Sequence, residues 1–274
     1  MRRWLKHWRD RLASRRARTV EVQSIFGPLT AFAGDFATRQ IEQFGAHTRN
    51  EVALLQSFVK AGDLIYDVGA HIGTFAIPLA QATGETGRVV AIEAEARNFA
   101  LLRQNLERHG LLGRVTPLLG LAGGRDVLYR PERFPDHTSA TYFSPDAAGE
   151  AMRTIQLDDL HASGSTRAAV VKIDVEGMEL SVLQSAEQTI ARDRPVLYVE
   201  IADEQLARYG TTPDDIEIFL RRFDYRFFRN VGDRNSTHDR FEIRELAALR
   251  DGGAFYDVLA VSESDQKLAR ALQR

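Results

Sequence analysis

From residue 51 onward the apolar positions fall into alternating helix-like and strand-like groups. Val52, Leu55 and Val59 form a helical stripe that stops at Gly62, and Leu64-Ile65-Tyr66-Asp67 is a short apolar run closing on an acid. A glycine turn follows, then a helix predicted around Phe75–Ala82 and a strand at Val89–Glu93. Phe99, Leu102 and Leu106, at i, i+3 and i+7, mark another helix ending at Gly110, after which Val115–Leu119 reads as a third strand. The order is βαβαβ. The rhythm resumes with a strand at Ala169–Asp174, a helix at Met178–Ala186 and a strand at Pro195–Ile201. Thr212-Pro213 supplies an N-cap and an N1 proline for a helix carrying Ile216, Phe219 and Leu220, and strands near Tyr225–Phe228 and Phe255–Val261 close the pattern.

The strands are nearly all-apolar runs, as expected of a parallel sheet covered by helices on both faces. The fold class read from them is α/β, one doubly wound, mostly parallel domain over residues 35–274. Residues 123–153, broken by Gly123-Gly124, Pro131, Pro135 and Pro145, read as an irregular insertion or a hairpin. With residues 229–241 they are the expected specificity loops. Residues 1–34 read as a basic N-terminal arm and lead-in. Trp4, Trp8 and Leu12 recur at helical spacing among Arg2, Arg3, Lys6, Arg9 and Arg11. Such a helix over residues 1–18 suits an anionic membrane surface or a protein partner, and equally a solvated arm packed on its own domain. No uninterrupted apolar stretch follows the charges, which argues against a signal peptide.

Composition narrows the classes further. With 44% hydrophobic and 27% charged residues the chain is globular. It has no run of about 18 uncharged apolar residues, the length of a membrane-spanning helix. The absence of cysteine excludes disulfides, thiolate nucleophiles and Cys-ligated metal, and the cytoplasm is the expected compartment. The net charge of −2 divides unevenly: residues 1–18 carry +7 and residues 19–274 carry −9. An acidic body is a poor nucleic-acid platform.

Four strands finish on acids, namely Asp67, Glu93, Asp174 and Glu200. Ligands of open α/β sheets bind beyond the carboxyl ends of the strands, so these acids should meet in one cleft. Carboxylates crowded there repel unless cations or donors offset them. In Asp67-Val68-Gly69-Ala70-His71-Ile72-Gly73 the glycines permit a tight turn and close approach of a ligand. Asp67 would repel the pyrophosphate of a dinucleotide but suits the ammonium of S-adenosylmethionine (SAM), and Glu93 can accept both ribose hydroxyls. His71 either touches ligand through a ring nitrogen or is a polar loop residue bonded to backbone.

The second cluster is Lys172-Ile173-Asp174-Val175-Glu176-Gly177-Met178-Glu179. Alternation along the strand puts Lys172 and Asp174 on one side. A lysine in a central buried strand needs carboxylate partners, which Asp174 and, on the neighbouring strand, Glu200 can provide. The helix dipole alone can account for Glu176 at the helix start.

The motifs DVGAHIG and KIDVEGMEL, with VVAIE between them and RPVLYVEI after, resemble the FkbM-type SAM-dependent methyltransferases. The resemblance covers roughly residues 35–262. It implies a seven-stranded Rossmann-like (class I methyltransferase) sheet and O-methylation of a sugar, glycan or natural-product hydroxyl. It assigns Asp67, Gly69, Ala70, His71, Gly73, Glu93, Ala94 and, at the adenine, Leu121 to SAM. Lys172, Asp174, Glu176 and Glu200 fall at the methyl-acceptor end. Asp174 is then the base or hydroxyl-orienting acceptor, held ionised by Lys172. In a second version Asp174, Glu200 and Asp203 gather Mg²⁺. The rival readings are a non-catalytic SAM-fold binding module and a nucleic-acid methyltransferase, which strand four disfavours by ending in Asp174-Val175-Glu176-Gly177 where an Asn/Asp-Pro-Pro-aromatic tetrad would stand.

Overall fold

The computed structural model of the 274-residue chain describes residues 18–124, 129–134, 137–145, 154–161 and 166–263. The amphipathic helix expected over residues 1–18 therefore lies, except for Arg18, outside the described residues. An antiparallel hairpin, β1 (Thr19–Ser24) and β2 (Gly27–Phe32), opens the described chain. Two helices follow, α1 (Phe36–Phe44) and α2 (Arg49–Gln56). Asp35 caps α1 by accepting from the Ala37 N–H, and Gly45 ends it in the left-handed conformation.

The βα units come next: β3 (Leu64–Val68), α3 (Ala76–Ala82), β4 (Arg88–Glu93), α4 (Ala96–Arg108) and β5 (Val115–Leu119). Short strands β6 (Leu121–Ala122) and β9 (Thr154–Ile155) flank an antiparallel hairpin of β7 (Tyr129–Phe134) and β8 (His137–Pro145), so the described part of the 123–153 insertion contains a hairpin. Helix α5 (Leu157–His161) leads to β10 (Ala168–Ile173), α6 (Glu179–Ser185), α7 (Glu187–Asp193), β11 (Val196–Ala202) and α8 (Asp203–Arg208). The chain closes with α9 (Pro213–Arg221), β12 (Tyr225–Asn230), β13 (Ile243–Leu246) and β14 (Phe255–Ser262). Thr212 and Asp215 form the capping box of α9.

The central sheet has the order β13-β12-β14-β11-β10-β3-β4-β5. The run from β11 to β5 is parallel, and β14 enters antiparallel beside β11. This is the doubly wound sheet expected, with eight strands: β13 pairs outside the seven that were implied. Successive strand residues alternate between two cores. Ile65, Val89 and Val170 pack into one, while Tyr66, Ile92 and Val171 pack into the other. Helices on both faces explain why these strands read as continuous apolar runs.

The division at residue 34 needs correction. Val22, Leu29 and Phe32 of the hairpin belong to the same buried cluster as β3 and β4. Asn105 of α4, fully buried, donates to the carbonyls of Thr30 (3.0 Å) and Ile72 (2.9 Å) and accepts from the Thr30 N–H (2.8 Å). One amide thus ties the hairpin to the turn after β3, and residues 19–32 are part of the domain.

Candidate active site

The turn after β3 shows why glycine stands at two positions. Gly69 has φ 80°, and a Cβ there would fall 1.8 Å from the backbone carbonyl oxygen of Asp174. Gly73 has φ 98°, and a Cβ would meet Ile77 and Leu102 at 3.2 Å. Both are required by the protein's own packing as well as by backbone conformation. Gly69 lines a cavity of about 730 Å³ at the carboxyl ends of the strands, whereas Ala70 and Gly73 do not. These two shape the turn itself: the Ala70 N–H donates to Ile92 O (3.0 Å) and its carbonyl accepts from the Gly73 N–H (2.8 Å).

Glu93 ends β4 on the cavity wall. Its Oε2 accepts from the His71 N–H and its Oε1 from the Glu95 N–H, each at 2.8 Å. Asn98 Nδ2 also reaches Oε1 at 3.5 Å; a carboxylate has about four acceptor positions, so Oε2 keeps room for a further donor. Burial pushes Glu93 up to about 7, against the pull of those two N–H groups. Beside it Ala94, Leu121 and Phe143 also line the cavity, and with Met178 they form a small apolar cluster.

Lys172 is the hub. Its Nζ donates to Gly69 O (2.9 Å), lies 3.2 Å from Asp174 Oδ2 and 3.6 Å from Asp67 Oδ1, and sits over the Phe75 ring. Burial pulls this ammonium down, but Asp174 and Asp67 outweigh it and hold it above the ordinary lysine value. The Lys172–Asp174 pairing matches the alternation argument. Asp67, assigned to SAM by the resemblance, is 0% exposed, in register with Lys172, and set behind the residues that line the cavity. Burial raises its carboxyl despite the lysine. Asp67 thus anchors Lys172 from the neighbouring strand. Asp174, with 39% of its side chain exposed, opens onto the cavity.

The profile of the methyltransferase FkbM domain matches residues 67–227, which contain every one of these groups. The chain belongs to the FkbM methyltransferase family. It is 29% identical over 198 residues to the 31-O-demethyl-FK506 methyltransferase FkbM of Streptomyces tacrolimicus, covering 71% of this chain and 68% of that one. It is 30% identical over 200 residues to the hexuronic acid methyltransferase AglP of Haloferax volcanii, covering 70% and 77%. Among solved structures, a methyltransferase FkbM from Methylobacillus flagellatus KT is similar with 22% identity and a TM-score of 0.46, over 74% of this chain and 44% of that one.

In this FkbM methyltransferase chain the remaining acids follow a different local logic from the one expected. Helix α6 begins at Glu179, and Glu176 precedes it in the left-handed region at φ 60°. The helix-start role passes to Glu179, whose Oε1 accepts from the Val175 and Gly177 N–H groups at 3.1 Å. Glu176 lines the cavity and its Oε2 accepts from Gln205 Nε2 at 2.6 Å. Glu200, also on the wall, is raised well above the carboxylate range by burial and then by Asp174 and Asp257. Asp203 starts α8 and does not line the cavity. Among the described residues no group of three or more His, Asp or Glu is placed to hold a metal ion, so the donor set read for Mg²⁺ is not assembled.

Burial, followed by Asp174 and Glu179, raises Glu176 to about 8. The folded state therefore keeps this proton where the unfolded chain, titrating near 4.5, has lost it. Stability is lost as pH rises through the window from about 4.5 to about 8. Glu176→Gln keeps an acceptor for Gln205 and removes that loss. The variant is expected to melt a few degrees above the wild type at pH 8.5 and alongside it at pH 4. Thermal denaturation at the two pH values checks this, and equal melting at pH 8.5 would contradict it.

Several wall residues escape the sequence reading. His47 comes from the turn between α1 and α2, Arg234 and Asn235 from the β12–β13 connection, and Phe255 from the start of β14. The span 229–241 was a candidate specificity loop, but no spacing singles out Arg234. Its Nη2 reaches Asp257 Oδ2 at 2.8 Å, while Glu51 accepts from the Tyr198 hydroxyl behind it. His71 lines the cavity. Its Nε2 is buried with no hydrogen-bond partner among the described residues, so that nitrogen makes no backbone bond.

Proposed function

We propose that the chain is a SAM-dependent O-methyltransferase acting on a hydroxyl of a sugar, glycan or natural-product small molecule. One observation supports this most: Glu93 and the apolar Ala94–Leu121–Phe143 wall share a single cavity with the Lys172-held carboxylate of Asp174. The residues fit SAM. Glu93 retains acceptor room for a ribose hydroxyl, and Leu121 and Phe143 offer an apolar slot for adenine. A volume of about 730 Å³ sits in the upper part of the range for small-molecule sites. The relatives' names, a 31-O-demethyl-FK506 methyltransferase and a hexuronic acid methyltransferase, favour a small oxygen-bearing acceptor. The charge of −9 over residues 19–274 disfavours nucleic acid.

Bound SAM supplies an electrophilic methyl group on a sulfonium whose departure needs no proton. The chain's task is to position the acceptor oxygen and take its proton. Asp174 accepts that proton or orients the hydroxyl, and Lys172 fixes the carboxylate through Oδ2 while spanning to Gly69 O. Positioning contributes several kcal/mol and a general base about 10² to 10⁴-fold. Methyl transfer from labelled SAM to small hydroxyl acceptors tests the proposal, and a protein that binds no SAM refutes it.

Residues 1–18 stand outside this machinery in the proposal, with their Trp and Arg faces meeting an anionic membrane surface or a partner. Their deletion is expected to leave SAM affinity within about twofold while lowering partitioning onto phosphatidylserine vesicles. Unchanged partitioning removes the membrane version.

A further inference from the structure

The β7–β8 hairpin forms a sheet of its own, with no third strand beside it among the described residues. Two-stranded hairpins are marginal alone. This one nevertheless carries the buried Phe143 onto the cavity wall, so it needs support from outside.

Tyr209, which follows α8, supplies that support. Its hydroxyl accepts from the Phe143 N–H and donates to the Phe143 carbonyl, both at 3.1 Å. The N–H and C=O of one strand residue point the same way, so these two groups face away from β7. Opposite Phe143 in the ladder stands Pro131, which has no N–H to give, in keeping with a pair that exchanges no backbone hydrogen bonds. A single phenol thus stands where a neighbouring strand would otherwise pair.

The phenol is itself seated by the second sequence motif. Gly177 has φ 109°, and a Cβ there would lie 2.8 Å from Tyr209 Cδ2 and 2.3 Å from the Gln205 carbonyl oxygen. The glycine of KIDVEGMEL therefore leaves room for α8 and the Tyr209 ring. Gln205, one helical turn before Tyr209, donates to Glu176 at 2.6 Å and holds α8 to the same loop. The Tyr209 ring packs on the cluster of Leu121, Phe143 and Met178, but it does not line the cavity.

We propose that Tyr209 is a positioning residue for the cofactor: it fixes Phe143, and with it the apolar wall for adenine, without touching SAM. The inference rests on the reading of Leu121 and Phe143 as the adenine slot. It gives a role in cofactor affinity to a residue outside both sequence motifs.

The test uses the full-length protein, with calorimetry of SAM and of S-adenosylhomocysteine. Tyr209→Phe keeps the ring in its seat and removes only the hydroxyl, so melting curves should show a folded variant. Affinity should fall about tenfold, the scale of one lost hydrogen bond to a buried group. The loss should be equal for the two ligands, because the wall meets the adenosyl part that they share. Phe143→Ala should weaken both ligands by itself, and in that background Tyr209→Phe should cost no more than about twofold, the mark of two residues acting through one contact. Hydrogen exchange of the free Tyr209→Phe protein should quicken over residues 137–145 and stay unchanged in β3 and β10. Wild-type affinity in folded Tyr209→Phe overturns the proposal, as does a loss confined to SAM, a loss that adds in full to that of Phe143→Ala, or unchanged exchange in the hairpin. Those results leave the methyl-transfer reading standing. A wild type that binds neither ligand refutes that reading and this proposal together.

Discussion

Asp174→Asn is expected to lose about 10² or more in turnover while keeping its fold and SAM affinity. The amide is isosteric, and the backbone of Asp174, not its side chain, packs against Gly69, so the turn after β3 is undisturbed. The Asp174 N–H also keeps its bond to Val68 O at 3.0 Å. What changes is the side chain 3.2 Å from Lys172 Nζ: an amide takes no proton from a hydroxyl and no longer balances the buried ammonium. Asp67, 3.6 Å from Nζ on the other side, retains part of that balance, which is why the variant should still fold. Initial-rate kinetics with calorimetry of SAM binding separate the effects. Wild-type turnover by folded Asp174→Asn would move the catalytic role to another group, with Glu176, Glu200 and His71 tested in turn.

The sheet was legible because its strands are buried on both faces, so Leu64–Asp67, Val89–Glu93 and Ala169–Asp174 read as uninterrupted apolar runs. The β1–β2 hairpin escaped notice because β1 alternates exposed and buried positions beside a strongly basic segment, a weaker signal. Period-two alternation placed Lys172 and Asp174 together correctly. It could not say where Asp67 points, because that depends on the Lys172–Asp67 register between neighbouring strands, and register is a property of the packed sheet. Gly69 and Gly73 were visible as glycines, but what would occupy the missing side chain's space, a neighbouring carbonyl in one case and Ile77 with Leu102 in the other, is tertiary information. The same holds for His47. It belongs to no motif, and only the packing of α1 and α2 brings it to the cavity.

The other large effect is expected at Glu93. Its oxygens accept from the His71 and Glu95 N–H groups, with Asn98 Nδ2 at 3.5 Å from Oε1, which fixes the carboxylate at the end of β4, where ribose hydroxyls would take the remaining lone pair and displace the long Asn98 contact. Hydrogen bonds to a charged group contribute about 1.5–3 kcal/mol each, so losing two predicts at least about 10²-fold weaker SAM binding. Since Glu93 stays protonated up to about 7 in the free protein, wild-type affinity should also rise from pH 6 to pH 8 as the better acceptor forms. Isothermal titration of SAM into wild type and Glu93→Ala, with melting curves to confirm that the variant is folded, reads this contact directly. One molecule of SAM per wild-type chain and a loss of about 10²-fold or more in folded Glu93→Ala are the predicted result. Equal affinity in the folded variant, or no SAM binding by the wild type, would contradict it.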